Sequence, residues 1–421
     1  MADRFAATLA PYVAVFRSRR IAVILFLGFS SGMPLALTGS TLQAWLTVSH
    51  IDITTIAWFS WIGIPYLLKF LWSPLMDRFV PPWLGRRRGW MLATQFGLVV
   101  GLVGMAFTSP SDSLLLLGVL ALWVAFISAS QDIVIDAYRT DLLIPSERGM
   151  GAAVAVFGYR IAMIVSGGAA LIFADQIGWR ATYVTMALLM GVGVLTTLVA
   201  PEPEAPPRVP RTLREAVIEP LRDLFTREGA MRLLLLIVLY KFGDALAGTL
   251  TTAFLIRGVG FTPTDVGVIN KGLGLASLLI GAFIGGTLLA RMSLYRALML
   301  FGMLQALSNL SFTFLAWAGH SYGWLVFTVG FENLASGMGT AAFVALAMAL
   351  CNVSFSATQY ALLSAIASLG RVAFGPLTGE LVELMGWANF FLITFVAALP
   401  GLWLLWRSRR EIAALPQPGG D

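Results

Sequence analysis

Stretches of about 20 apolar residues, each long enough to cross the hydrocarbon core of a bilayer as one helix, recur along nearly the whole chain with no charge or one charge apiece. A chain patterned in this way has lipid, not water, as its solvent. Composition agrees: of 421 residues, 58% are hydrophobic and 12% charged, against roughly a quarter charged in soluble proteins. A water-soluble globule is thereby excluded. The single cysteine, Cys351, rules out an intrachain disulfide and a cysteine-rich metal cluster, and no metal or cofactor is expected. A net charge of +6 can mark a nucleic-acid binder, but the bases stand at the ends of apolar segments and not in a stripe with aromatics. They read as topology signals, and no nucleic-acid partner is expected.

Twelve spans are predicted, at roughly 21–46, 54–76, 90–109, 113–139, 149–175, 180–200, 230–256, 264–290, 294–317, 321–350, 356–384 and 387–406. An even number puts both termini on one side. With that side assigned to the cytoplasm, 21 arginines fall in inside segments and only Arg180 and Arg257 outside, the bias that sets orientation. Residues 201–210, PEPEAPPRVP, cannot continue a helix, because proline lacks the donor and clashes with the preceding turn. After them Leu213, Val217, Leu221, Leu224 and Phe225 recur at helical spacing among charges, as in an interfacial helix. The expected organisation is a six-helix bundle over 1–200, a cytoplasmic linker over 201–229, and a second six-helix bundle with a short cytoplasmic tail over 230–421.

The halves echo each other. Thr55 and Thr264, Gly63 and Gly272, Ser146 and Ser356, Arg160 and Arg371, and Trp179 and Trp387 match in order at offsets of 208 to 211 residues, as expected of a duplicated transporter fold with its cargo in a central cavity near mid-membrane. Gly28, Gly32, Gly281, Gly285 and Gly286 are placed to let helices approach closely, and Pro34 is expected to kink span one.

Charges at membrane depth are costly unless paired or wetted, so each is a candidate functional residue. With the loop bases set aside, Lys69, Arg160, Lys241, Lys271 and Arg371 remain inside spans, and the acids at comparable depth are Asp132, Asp136, Asp244 and Glu332. In span four, Asp132, Asp136 and Arg139 share one helix face. They form either an internal ion-pair ladder or, for the two aspartates, the proton-coupling pair, since a carboxylate in apolar surroundings can carry a proton at neutral pH. Lys241 and Asp244, three apart in span seven, either neutralise each other or meet cargo. Lys271, beside Asn270, has no acid within four residues and needs a partner from elsewhere. Arg160 and Arg371 either touch cargo or bridge helices. Glu332 can pair with one of these bases. The mixed signs suit an ionised or zwitterionic cargo. No Walker motif, HExxH or GxSxG occurs, so an enzyme is not expected.

Between spans two and three, WSPLMDRF followed by LGRRRGW resembles the major facilitator loop motif. The resemblance implies a role in conformational switching for Asp77, Arg78, Arg86 and Arg87, and Arg139 is added to that set from its place at the end of span four. Ser73 stands where glycine is usual, and the loop is longer than in the family pattern. Further stretches, GFSSGMPLALTGSTLQAWL, SASQDIVIDAYRTDLL and PSERGMGAA, resemble the AmpG-type muropeptide permeases of the bacterial inner membrane. That resemblance implies a proton-coupled importer of N-acetylglucosaminyl-1,6-anhydro-N-acetylmuramyl peptides for peptidoglycan recycling, with influence on β-lactamase induction through that flux; a monomer is expected. Peptide carboxylates would meet Lys241 or Lys271, amides and hydroxyls Gln43, Gln131 and Asn270, and sugar faces Trp45. A drug or metabolite efflux antiporter, and a membrane receptor or scaffold, are the alternatives the fold permits.

Overall fold

The computed structural model describes residues 18–73, 76, 79–143, 148–203, 219–226, 229–351 and 356–415. All regular structure among them is helical, the form in which a lipid-embedded backbone satisfies its own polar groups. We label the spans α1 (Arg19–Val48), α2 (Ile53–Leu71), α3 (Arg86–Ala106), α4 (Leu114–Leu142), α5 (Gly151–Ile177), α6 (Trp179–Val199), α7 (Ala230–Gly258), α8 (Pro263–Leu289), α9 (Leu294–Ala318) and α10 (Tyr322–Leu350). The last helical stretch, Ser356–Arg407, is 52 residues long and bends at Gly386 (φ 78°, ψ 167°). It therefore supplies two spans, α11 over 356–385 and α12 over 387–407, and the total among the described residues is twelve.

The bend explains one of the repeats in the sequence. Gly178 (φ 82°) links α5 to α6 and is followed by Trp179; Gly386 is followed by Trp387 and links α11 to α12. Positive φ is cheap for glycine alone, so the same glycine–tryptophan corner turns the chain in both halves. Side-chain caps set the starts of α2, α4 and α8. Asp52 accepts from the Thr55 amide at 2.6 Å, Ser113 from the Leu116 amide at 3.3 Å, and Thr262 and Asp265 form a capping box.

Contacts divide the chain into two units. The first holds α1 up to Trp45, the end of α2 from Leu68, and α3 to α6. Here α1 packs on α4 and α5, and α3 on α4 and α6, around Ile24, Leu27, Met91, Ile135 and Tyr138. The second holds Leu46–Leu67 and α7 to α12. There α7 packs on the α11–α12 helix, and α10 on α8 and α9, around Leu236, Tyr240, Phe301, Leu346 and Leu405. The Ile53–Gly63 part of α2 also lies on the α11–α12 helix within this second unit.

Close approach rests on glycine where expected, with one exception. A Cβ at Gly32 would lie 2.6 Å from the Tyr159 carbonyl oxygen, and one at Gly285 would lie 2.7 Å from the Met338 Cα, whereas one at Gly286 would meet nothing within 4 Å. Gly286 thus lies off the packed stripe. Pro34 lies within the helix Arg19–Thr38, and α1 is interrupted at Gly39 (φ −107°, ψ −108°). Of the linker, Glu219–Thr226 is helical, and its Asp223 accepts a hydrogen bond from Gln359 Nε2 of α11 at 2.7 Å. Leu213 and Val217 lie outside the described residues.

Candidate functional site

In the first unit the charged residues of α4 part company. Asp132, half-buried, accepts a hydrogen bond from Ser31 Oγ of α1 at 2.5 Å and lies in the field of the Lys69 ammonium. Asp136 is more than half exposed and pairs with Arg139 at 3.1 Å. The two aspartates share a helix face, as their spacing requires, yet only Asp132 is held against a neighbouring helix. Next to it Gln131 is fully buried. Its Nε2 reaches Ser30 Oγ at 3.4 Å, and its Oε1 has no partner among the described residues. Lys69 sits in a short 3₁₀ turn, Lys69–Leu71, near the end of α2, the kind of irregularity that often marks a hinge or a site.

Other expected residues of this unit are placed differently. Trp45 is buried, stacked on Trp179 with ring centroids 5.6 Å apart and planes 9° from parallel, and lies 5.1 Å from Tyr183. Its aromatic face is covered in this structure. Arg160 is half-buried, with the Met163 sulfur 3.9 Å from Nη1. Gln43 is half-buried on α1.

In the second unit four helices converge on one mixed-charge cluster. Lys241 Nζ and Asp244 Oδ2, one turn apart on α7, are 3.9 Å from each other. Gln305 Nε2 of α9, itself buried, donates to Asp244 Oδ2 at 2.5 Å. On α10 Glu332 accepts from the side chain of Asn333 at 2.6 Å and lies in the field of Lys241, Lys271 and Asp244. Lys271 and Asn270 are half-buried and sit in a π-helical segment of α8, Val266–Leu273; such widened turns recur at functional sites. Lys241, Asp244, Lys271 and Glu332 are thus brought together, while Arg371 is exposed on α11. Two bases and two acids make the cluster neutral as a whole, able to take a ligand bearing both signs.

A third set of contacts gathers at the start of α3. Arg87, 7% exposed, donates through Nε to Asp141 of α4 at 2.8 Å, and Arg86 lies 3.6 Å from the same carboxylate. Glu202 accepts from the backbone amides of Arg87 at 2.8 Å and Arg88 at 3.1 Å, placing an anion at the positive end of the helix. Arg88 donates to the Thr197 and Leu198 carbonyls at the end of α6, and Tyr138 to that of Pro201. Arg139 takes no part in this set, and Asp77 and Arg78 lie outside the described residues.

Sequence reasoning singled out Lys69 as an in-span charge but passed over Ser31, Gln305, Asp141 and Glu202, for which no local signal existed, because each acts on a helix far away in the chain.

The model of the Major Facilitator Superfamily matches residues 24–359. Over 405 residues the chain is 54% identical to the anhydromuropeptide permease of Escherichia coli K12, covering 95% of this chain and 82% of that one. It is 35% identical to an AmpG-group transporter of Rickettsia felis, covering 94% and 98%. Among solved structures, the nucleoside transporter NupG superposes with a TM-score of 0.74 at 14% identity, covering 92% of this chain and 99% of that one. A D-xylose–proton symporter gives 0.70 at 11% identity, covering 94% and 98%. These structures share the fold.

Proposed function

Because the chain belongs to the Major Facilitator Superfamily and to its anhydromuropeptide permease group, we propose that it imports N-acetylglucosaminyl-1,6-anhydro-N-acetylmuramyl peptides across a bacterial inner membrane for peptidoglycan recycling. It is a transporter and not an enzyme. The observation that carries the cargo assignment is identity of 54% running through nearly the whole chain to a permease of that name.

The two clusters suit such a cargo. Peptide carboxylates find Lys271 and Lys241, and amino groups find Asp244. Amides and hydroxyls find Asn270 on α8, and Gln131 on α4 has an acceptor to spare. For coupling we assign the proton to Asp132 in preference to Asp136. Asp132 is hydrogen-bonded to Ser31 and lies in the field of Lys69, so gain or loss of a proton changes a contact between helices, whereas Asp136 already has Arg139 and solvent. A ligand moves a conformational equilibrium only through unequal affinity for the two states, and a proton that breaks the Asp132 contacts meets that requirement. The halves 1–200 and 230–421 then alternate access as a monomer, with the linker 201–229 and both termini in the cytoplasm. Reporter fusions after Arg88 and near His320 should give cytoplasm and periplasm respectively; a reversed pattern contradicts this orientation.

Right-side-out vesicles separate this reading from efflux. Under an inward proton gradient, labelled anhydromuropeptide should accumulate inside them. Exclusion of the cargo, or its expulsion after preloading, favours the antiporter reading, and binding without flux favours a receptor.

A further inference from the structure

We propose that Glu332 is an internal stand-in for a cargo carboxylate: it screens Lys271 and Lys241 in the empty carrier and gives them up when an anionic peptide end arrives. The inference rests on the muropeptide reading for its probe and adds to it a residue that sets affinity by competing with cargo. Asp244 and Glu332 are bound unequally. Asp244 is within 3.9 Å of Lys241 and takes a 2.5 Å hydrogen bond from Gln305. The amide of that glutamine fills the space that a side chain at Gly339 would occupy. Asp244 is therefore locked from two sides.

Glu332 is not. Its one close partner is the adjacent Asn333, whose Nδ2 is shared with the Val329 carbonyl at 2.9 Å. It acts on Lys271 and Lys241 through the field alone, with no contact ion pair to either among the described residues. Attraction falls with distance, and a charge in a low-dielectric interior is costly unless matched. A cluster serving structure alone would close those gaps, or dispense with the charges in favour of apolar packing, which is often as stable. With Lys241 next to Asp244 and Glu332 in contact with neither base among the described residues, the Lys271 ammonium is the charge left for a second carboxylate. Lys271, on the widened turn Val266–Leu273, has no hydrogen bond or ion pair of its own among the described residues and is placed to receive it.

The test measures binding to the full-length protein in nanodiscs with two probes: N-acetylglucosaminyl-1,6-anhydro-N-acetylmuramyl tripeptide and the amide in which every peptide carboxyl is blocked. Glu332→Gln should tighten the free acid about tenfold while the amide stays within about twofold, a coupling of ordinary size for linked sites. Glu332→Asp, which draws the carboxylate back by one methylene, should fall between wild type and Gln and keeps the test open if the Gln variant folds poorly. Lys271→Ala should erase the preference for the free acid, and adding Glu332→Gln to it should restore none. Equal tightening of both probes by Glu332→Gln, or weakening of both, overturns the proposal while leaving the cargo assignment standing. Failure of the wild-type chain to bind either probe defeats the cargo assignment itself.

Discussion

Removal of the Glu202 carboxylate should destabilise the first unit by an amount that the α3 start allows us to set. Two backbone amides, of Arg87 and Arg88, donate to it, and Gly85, the residue before the helix, supplies no capping side chain. Hydrogen bonds to a charged acceptor contribute about 1.5–3 kcal/mol each, but α3 amides freed by the change can turn to water at this half-exposed end. The measured scale for loss of a cap, about 0.5–2 kcal/mol, with about 0.3–1 kcal/mol from the helix dipole, is the better guide. Glu202→Ala should therefore cost about 1–3 kcal/mol. Glu202→Gln keeps an acceptor and loses the charge, and should cost about half as much.

For a unit of this size 1 kcal/mol corresponds to roughly 2–4 °C in Tm, so the alanine variant should melt about 2–12 °C below wild type. Arg87→Ala is the yardstick: it leaves Asp141, itself mostly buried, short of its closest base, and loss of one partner from a buried pair costs about 3–5 kcal/mol. Scanning fluorimetry in one detergent at one scan rate is the assay, since melting of such proteins is often irreversible. The order expected is wild type, Gln, Ala, then Arg87→Ala. Equal melting of the Gln and Ala variants, or an unchanged Tm in both beside a lowered one for Arg87→Ala, refutes the capping argument.

Asp132→Asn should abolish proton-driven accumulation of anhydromuropeptide while exchange without a gradient persists, and Asp136→Asn should accumulate at near wild-type level; the reverse pattern moves the coupling site to Asp136. Gly285→Leu should disrupt α8 on α10, because even a Cβ there would lie 2.7 Å from the Met338 Cα; overpacking of this kind costs about 1–3 kcal/mol. The same change at Gly286, where a Cβ meets nothing within 4 Å, should be neutral, and equal loss of melting temperature in both would contradict the packing. Asp52 outside the spans gives a pH dependence. Burial raises its pKa, yet the Thr55 hydrogen bonds and nearby Arg257 outweigh burial and hold it below the ordinary carboxylate value. Its contribution is therefore present above pH ~4 and fades as pH falls through the lowered value, so Asp52→Asn should remove part of the acid sensitivity of melting.

Span existence was legible in the sequence because a window of 20 apolar residues has few other uses, and span ends followed from charges and caps within a few residues. The α11–α12 corner was legible too, through the matched Trp179 and Trp387, although a single glycine, Gly386, makes the turn. In-span charges stood out for the same reason as the spans: a charge is rare in apolar surroundings. Their partners did not. Ser31 and Gln305 are ordinary polar residues on other helices, and only the fold brings them to Asp132 and Asp244. Glu202 stood in a proline-rich stretch that read as a helix stop, with nothing local to show that its carboxylate reaches back across more than a hundred residues to α3. Trp45 reads as a platform for sugar faces because nothing local shows its stacking partner, Trp179, five spans away.

The central claim is that this chain moves anhydromuropeptide inward at the expense of a proton gradient, and purified protein in proteoliposomes tests it most directly. Labelled N-acetylglucosaminyl-1,6-anhydro-N-acetylmuramyl tripeptide is supplied outside, with the lumen either alkaline or at equal pH, and internal label is followed over time. The account predicts accumulation above the outside concentration with the gradient, equilibration without it, and collapse of the excess on adding a protonophore. Entry to the same level with and without the gradient contradicts proton coupling, and no entry in either condition contradicts the function proposed here.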